Sequence, residues 1–259
     1  MNKFLCLNLI ILSGFLVSCN EKVIEEVDVR PSKSESTPRA QYVGCDLAGL
    51  GLDPNLGDLA SIQDTLELIN ALPKPLEIPC FLSAINRPLK VYLSSSALSA
   101  QPARGRDNPR MFIMNYPLVI SVAITGAGSY KLELSEFTEV TKSFKGEINF
   151  PLEGNITIAN IFESVNGGAT SNCVNCHLNE SSDDVTFGTR AYNSFALKPT
   201  PVTKIEVIDF QQEAFNCDMA NEQSYRCHII YSIFNHGAVV HQDFPGGTPT
   251  FIESFNIPL

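Results

Sequence analysis

Between Leu89 and Phe150 the chain is broken into short runs: Leu89 to Leu93, Arg110 to Met114, Leu118 to Ile124, Tyr130 to Leu134 and Ser143 to Phe150. Turn-forming stretches such as Gln101 to Pro109 and Gly126-Ala127-Gly128 separate them. Short runs with β-type patterning and closely spaced turns suit antiparallel pairing, so this region predicts a sheet or a small sandwich. Alternating apolar residues are the mark of a half-buried sheet, which makes this middle region scaffold rather than site. Helices are predicted on either side of it. Leu59, Ile62, Leu66, Ile69 and Leu72 recur at helical spacing within Asp58 to Leu72, and Pro73 stops the pattern. Downstream, Ile158 to Val165 reads as a short helix, Val202 to Phe210 as a strand and Asn221 to Asn235 as a helix. The expected class is therefore α+β, strand-rich with a few helices, and without internal repeats.

The N-terminus carries a different signal. Lys3 precedes an apolar run from Phe4 to Val17, interrupted by Asn8, Ser13 and Gly14. A membrane-spanning helix needs about 20 apolar residues, whereas the core of a signal peptide needs only about 7 to 15, so residues 1–18 read as a cleavable signal. Leu16-Val17-Ser18-Cys19 resembles the lipobox of bacterial lipoproteins. That resemblance implies a diacylglycerol thioether on Cys19, cleavage before it and a membrane anchor through the lipid. Asn20 at the next position implies the outer membrane, because the usual inner-membrane retention signal there is Asp. Each buried lipid CH₂ contributes about 0.8 kcal/mol, so two or three chains anchor far more firmly than one.

Loss of residues 1–18 removes Lys3 and leaves 17 basic against 28 acidic residues, a net charge of −11. A surface of that sign does not suit nucleic acid, whose phosphates need basic partners. Residues 19–44 are rich in Glu, Ser, Pro, Lys and Arg, with few large apolar side chains after Val29, and read as a tether. The organised body then divides into 45–158, a helix plus the strand-rich region, and 159–259, which holds the next motif and joins the same domain or forms a second one.

That motif is Cys173-Val174-Asn175-Cys176-His177, inside a Gly- and Asn-rich loop. Two thiols separated by two residues can lie one turn apart, with an imidazole beside them, which is the arrangement for covalent haem attachment. The pattern resembles that of c-type cytochromes. The resemblance covers these five residues and implies one haem c, with thioethers on Cys173 and Cys176 and His177 as the proximal iron ligand. It also implies electron transfer with a redox protein partner, a carrier rather than a catalyst with its own substrate. Attachment outside the cytoplasm agrees with the signal peptide. The surroundings depart from the all-helical small cytochromes of that family, and the methionine loop usual there is absent. His236 and Met219 are the candidates for the sixth iron position. Phe187, Tyr192 and Phe195 are candidates to wall the haem.

Other chemistry is open to the same residues. Cys173, Cys176, Cys217 and Cys227, with His177 or His228 as a substitute, match the four-ligand pattern of structural zinc, although exported thiols tend to be oxidised. A zinc- or disulfide-stapled binding module is thus the alternative function. A thioredoxin-like pair would need a βαβ unit that the sequence lacks. After lipid and haem are assigned, Cys45, Cys80, Cys217 and Cys227 remain, and three pairings are possible. The most local joins Cys45 to Cys80 and Cys217 to Cys227. His228 is expected to pack in a helix, His236 to cap a helix end and His241 to lie at the surface. No catalytic triad, nucleotide loop or paired-carboxylate signature stands out.

Overall fold

The computed structural model describes residues 45–96, 103–219, 221 and 224–256. The signal peptide, Cys19 and the tether lie outside the described residues. Nine strands form one open sheet: β1 (Leu89–Ser94), β2 (Arg110–Asn115), β3 (Leu118–Ala123), β4 (Lys131–Glu139), β5 (Lys142–Asn149), β6 (Ser181–Asp183), β7 (Ala191–Phe195), β8 (Lys204–Ile205) and β9 (Val239–His241). Their order is β6-β7-β5-β4-β3-β2-β1-β8, antiparallel throughout, and β9 adds a parallel pairing to β1. The five predicted runs are β1 to β5, neighbours in both sequence and space, as short hairpin connections favour. Strands from residues 159–259 extend the same sheet at both edges. Among the described residues there is one sheet and no sandwich.

Six helices accompany it among the described residues: α1 (Ile62–Ala71), α2 (Ile78–Ala84), α3 (Ile158–Glu163), α4 (Val207–Asn216), α5 (Tyr225–Phe234) and α6 (Phe251–Ser254). None is long and apolar enough to cross a membrane. The start of α1 is set by Ser61, whose Oγ accepts from the Asp64 amide at 3.0 Å, and by Glu136 of β4, which accepts from the Ile62 amide at 2.7 Å. The α2 segment, Ile-Pro-Cys-Phe-Leu-Ser-Ala, is buried on every side and carries no amphipathic period, so its sequence offers no helical pattern. The expected strand over Val202 to Phe210 is corrected. Its apolar residues belong to two elements, the two-residue β8 and the first turn of α4, with Glu206 as the cap between them.

The register separates the sheet into two unlike faces. On one, Val91 pairs with Ile113, Ile113 with Ile120, Ile120 with Leu134, and Leu132 with Ile148. This apolar face meets α1 to α5 in the main core, where Leu68, Phe81, Phe162, Ile229 and Ile233 are wholly buried. Each such side chain contributes about 1.5–3 kcal/mol of burial free energy. The other face carries Arg110, Ser121, Glu133, Ser135, Ser143 and Lys145 across β2 to β5, by the same register. Toward β1 it ends in a second, small apolar cluster that includes Tyr92, Phe112, Met114 and Phe137, with Phe244 packed against it.

Candidate functional site

The chain reaches the polar face by turning around the C-terminal part of β5, beyond the Lys142–Phe144 stretch that pairs with β7. On the apolar face α3 lies so close to that strand that a Cβ on Gly146 would stand 2.5 Å from Ile161 Cγ2, which explains the glycine there. At the end of α3 the Ser164 hydroxyl donates to the Glu147 carbonyl at 2.6 Å, satisfying an acceptor on the open edge. Residues 166–170 then form a turn on the other side, where the Tyr192 hydroxyl stands 3.0 Å from Asn166 Oδ1 and 2.9 Å from the Gly168 carbonyl and shares its one proton between them.

The Cys-x-x-Cys-His segment follows as a single turn. The Cys176 and His177 amides both donate to the Cys173 carbonyl, at 3.1 and 2.8 Å, so the two thiols and the imidazole are successive steps of one helical turn. Ser171 starts that turn, its Oγ accepting from the Cys173 amide at 3.1 Å. Glu180 holds Ser171 in turn, accepting from its amide at 2.7 Å and from its hydroxyl. Cys173 and Cys176 are the two cysteines outside disulfides among the described residues.

His177 has a defined tautomer. Its Nδ1 stands 2.7 Å from the Phe195 carbonyl of β7. A carbonyl only accepts, so Nδ1 carries the proton and Nε2 keeps a lone pair for a metal. Burial first, and then the Lys145 and Arg110 cations, push the imidazole down to about 3, so it is neutral at any physiological pH. Burial likewise raises the Cys173 thiol, with Glu133 adding to the rise and Lys145 opposing it. Lys145 itself is 7% exposed, donates to the Ser143 carbonyl at 3.1 Å and to the Ser143 hydroxyl, and is brought down to about 7 by burial. Arg110 pairs with Glu133 and donates to Ser121 Oγ at 2.8 Å.

These supporting residues were not foreseen as part of the site. Ser143 and Lys145 share a face of β5 in the sequence pattern, but an alternating Ser or Lys reads as a solvent-facing position unless something is known to cover it. The covering segment arrives from residues 164–177, a contact that local patterning does not encode.

The remaining sequence candidates lie elsewhere. His236 follows the end of α5 on the helical side, 5.8 Å from the Tyr231 ring, with the sheet between it and His177. Met219 belongs to the α4–α5 connection, beside the Cys217–Cys227 disulfide. Neither is brought to the motif. His228 is buried in α5, and His241 is half-buried, bonded to Asp243 at 2.9 Å and 5.6 Å from the Tyr92 ring. Of the three aromatics, Tyr192 braces the loop and Phe195 supplies the carbonyl to His177. Phe187 instead packs on Phe144 and Phe162 at 5.0 and 4.7 Å in the main core.

Both expected disulfides are present, Cys45–Cys80 and Cys217–Cys227. The second takes two of the four thiols out of the zinc set. Among the described residues no group of three or more His, Cys, Asp or Glu is gathered in a way that could hold a metal ion. No family model, curated protein or solved structure matches this chain.

Proposed function

We propose that the mature chain is an extracytoplasmic lipoprotein, anchored at the outer membrane through Cys19, that carries one haem c and transfers electrons to or from a protein partner. Cys173 and Cys176 form the two thioethers and His177 supplies the proximal nitrogen. A bound haem supplies one-electron redox chemistry.

The observation that carries this reading is the state of His177. Its Nδ1–H is spent on the Phe195 carbonyl, its Nε2 lone pair is unprotonated, and it lies within one turn of both cysteines that no disulfide consumes. An orienting hydrogen bond on the remote ring nitrogen is what a ligating histidine requires. The two disulfides suit an oxidising compartment. His236 and Met219 are held in the helical layer, so we assign neither to the sixth iron position. Near-infrared spectra of the oxidised His236→Ala and Met219→Ala proteins should match the wild type.

The reading is tested by maturing the protein in a host that attaches haem and recording its absorption spectrum. A sharp Soret band and resolved ferrous bands are expected. Cys173→Ser or Cys176→Ser should leave one thioether or no stable haem, and a colourless wild-type protein would overturn the assignment. The anchor is tested separately: Cys19→Ser should abolish the lipid mass and membrane extraction, and an unchanged product would refute it.

A further inference from the structure

On the helical side of the sheet two tyrosines are stacked beside a carboxylate. Tyr225 is the first residue of α5, Glu77 precedes the first residue of α2, and the two helices pack against each other. The Tyr225 hydroxyl donates to Glu77 Oε2 at 3.1 Å. The Glu77 side chain caps no amide of its own helix, so its carboxylate is left to accept this bond. Tyr130 ends the turn Ala127–Tyr130 ahead of β4, and its ring lies on that of Tyr225, with centroids 4.9 Å apart and planes 16° from parallel. The Phe150 amide donates to the Tyr130 carbonyl at 2.8 Å and fixes that residue beside the end of β5. All three side chains are half-buried.

A phenol that keeps its proton is hard to oxidise, because the radical cation left behind is a very strong acid. The electron leaves far more readily when a positioned base takes the proton in the same event, and Glu77 is such a base at hydrogen-bond distance. Burial holds its carboxyl above the ordinary value, with the bond from Tyr225 opposing the rise and Glu153 adding to it, so the carboxylate is a stronger base than an exposed one. The face of the Tyr130 ring lies where it can spread the charge of an oxidised neighbour. Tyr192 is a contrast within the same chain, since its hydroxyl faces Asn166 Oδ1 and the Gly168 carbonyl, neither of which takes up a proton. The chain contains no tryptophan, which leaves tyrosine as its most readily oxidised aromatic side chain.

We propose that Tyr225 is a redox-active tyrosine, giving one electron to a strong outer-sphere one-electron oxidant while its hydroxyl proton passes to Glu77. The Tyr225 O–H bond breaks, an O–H bond forms on Glu77 Oε2, the oxidant is reduced by one electron, and a neutral tyrosyl radical remains stacked on Tyr130. The electron tunnels, so the oxidant need not enter the site. The proposal does not depend on the haem reading. It is tested on the full mature chain, with free thiols alkylated and any haem held ferric, by mixing with hexachloroiridate(IV) at mildly alkaline pH and freeze-quenching for electron paramagnetic resonance. A tyrosyl signal is expected, formed more slowly in deuterium oxide than in water. Tyr225→Phe, which keeps the ring, should remove it, and Tyr192→Phe should leave it unchanged. Glu77→Gln should slow its formation about a hundredfold, and Tyr130→Leu should hasten its decay. A wild type that gives no tyrosyl signal, or one formed equally fast in both solvents, overturns the proposal without recourse to any variant. So does a signal of full yield in Tyr225→Phe, formation unslowed in Glu77→Gln, or decay unchanged in Tyr130→Leu.

Discussion

The two faces of this sheet are built from the same strands and do opposite work. Leu134 and Ser135 are consecutive residues of β4, the first buried and the second half-buried: Leu134 enters the main core against the helices while Ser135 hydrogen-bonds Ser143 at 2.7 Å on the polar face. The apolar face gains stability from burial alone and needs no particular partner for each side chain. On the polar face most hidden groups are held in connected sets, Arg110 with Ser121 and Glu133, Lys145 with Ser143, and Glu180 with Ser171, while the buried Ser194 Oγ opposite Ser143 has no partner. A face of that kind contributes less to stability and fixes geometry more tightly. That is the division a protein needs if the Cys173–His177 turn is to be held in one orientation by a rigid support.

The largest test of this contrast is a pair of neighbouring truncations. Leu134→Ala should cost about 2–5 kcal/mol in denaturant unfolding, while Ser135→Ala should cost about 1 kcal/mol. Equal losses would break the distinction between the faces. Next in size, removing the Cys45–Cys80 link by a double substitution to Ser should cost about 2–4 kcal/mol while leaving the motif face unaltered, read out by the haem spectrum.

Two titrations sharpen the comparison further, both measured on the haem-free chain. Folded His177 is held at about 3, below the ordinary imidazole value of 6.5. Between those limits the unfolded chain takes up a proton that the folded chain refuses, so stability falls as pH drops through the window. His177→Gln should flatten that slope. Folded Lys145 is held at about 7 against an ordinary 10.5, so between those limits stability rises with pH as the unfolded chain alone stays protonated. Lys145→Met should remove the rise and stabilise the protein at pH 7 by on the order of 1 kcal/mol. An unchanged pH profile in either variant would show that these side chains are not buried beneath the loop. Smallest of all, Phe215→Ser on the outer side of α4, where the ring is 75% exposed, should shift stability by under about 0.5 kcal/mol.

Much of the sheet was legible in the sequence because β1 to β5 are local: each pairs with a strand next to it in the chain, and period-two patterning needs no distant information. The four cysteines of the disulfides were legible by arithmetic once Cys19, Cys173 and Cys176 had been set aside for other expected roles, and locality chose among the three pairings. What escaped was non-local or patternless. Helix α2 is buried all round, β6 and β9 are three residues each, and the boundary between β8 and α4 falls inside one apolar stretch. At the candidate site the two cysteines and His177 were visible as a motif. Phe195, whose backbone carbonyl orients the imidazole, and Glu180, whose carboxylate anchors Ser171, act through contacts that no spacing rule announces. His236, one of the two candidates for the sixth iron position, is expected at a helix end. That place is real, but the helix lies behind the sheet.

The central claim is that Cys173 and Cys176 are bound to haem carbon rather than left as thiols or gathered around a metal. The most direct measurement is the intact mass and free-thiol titration of denatured, unreduced protein matured in a haem-attaching host. The account predicts a chain that retains the mass of one haem after denaturation and offers no titratable thiol at either position. A chain without that added mass, with two thiols per molecule that react on unfolding, would contradict it.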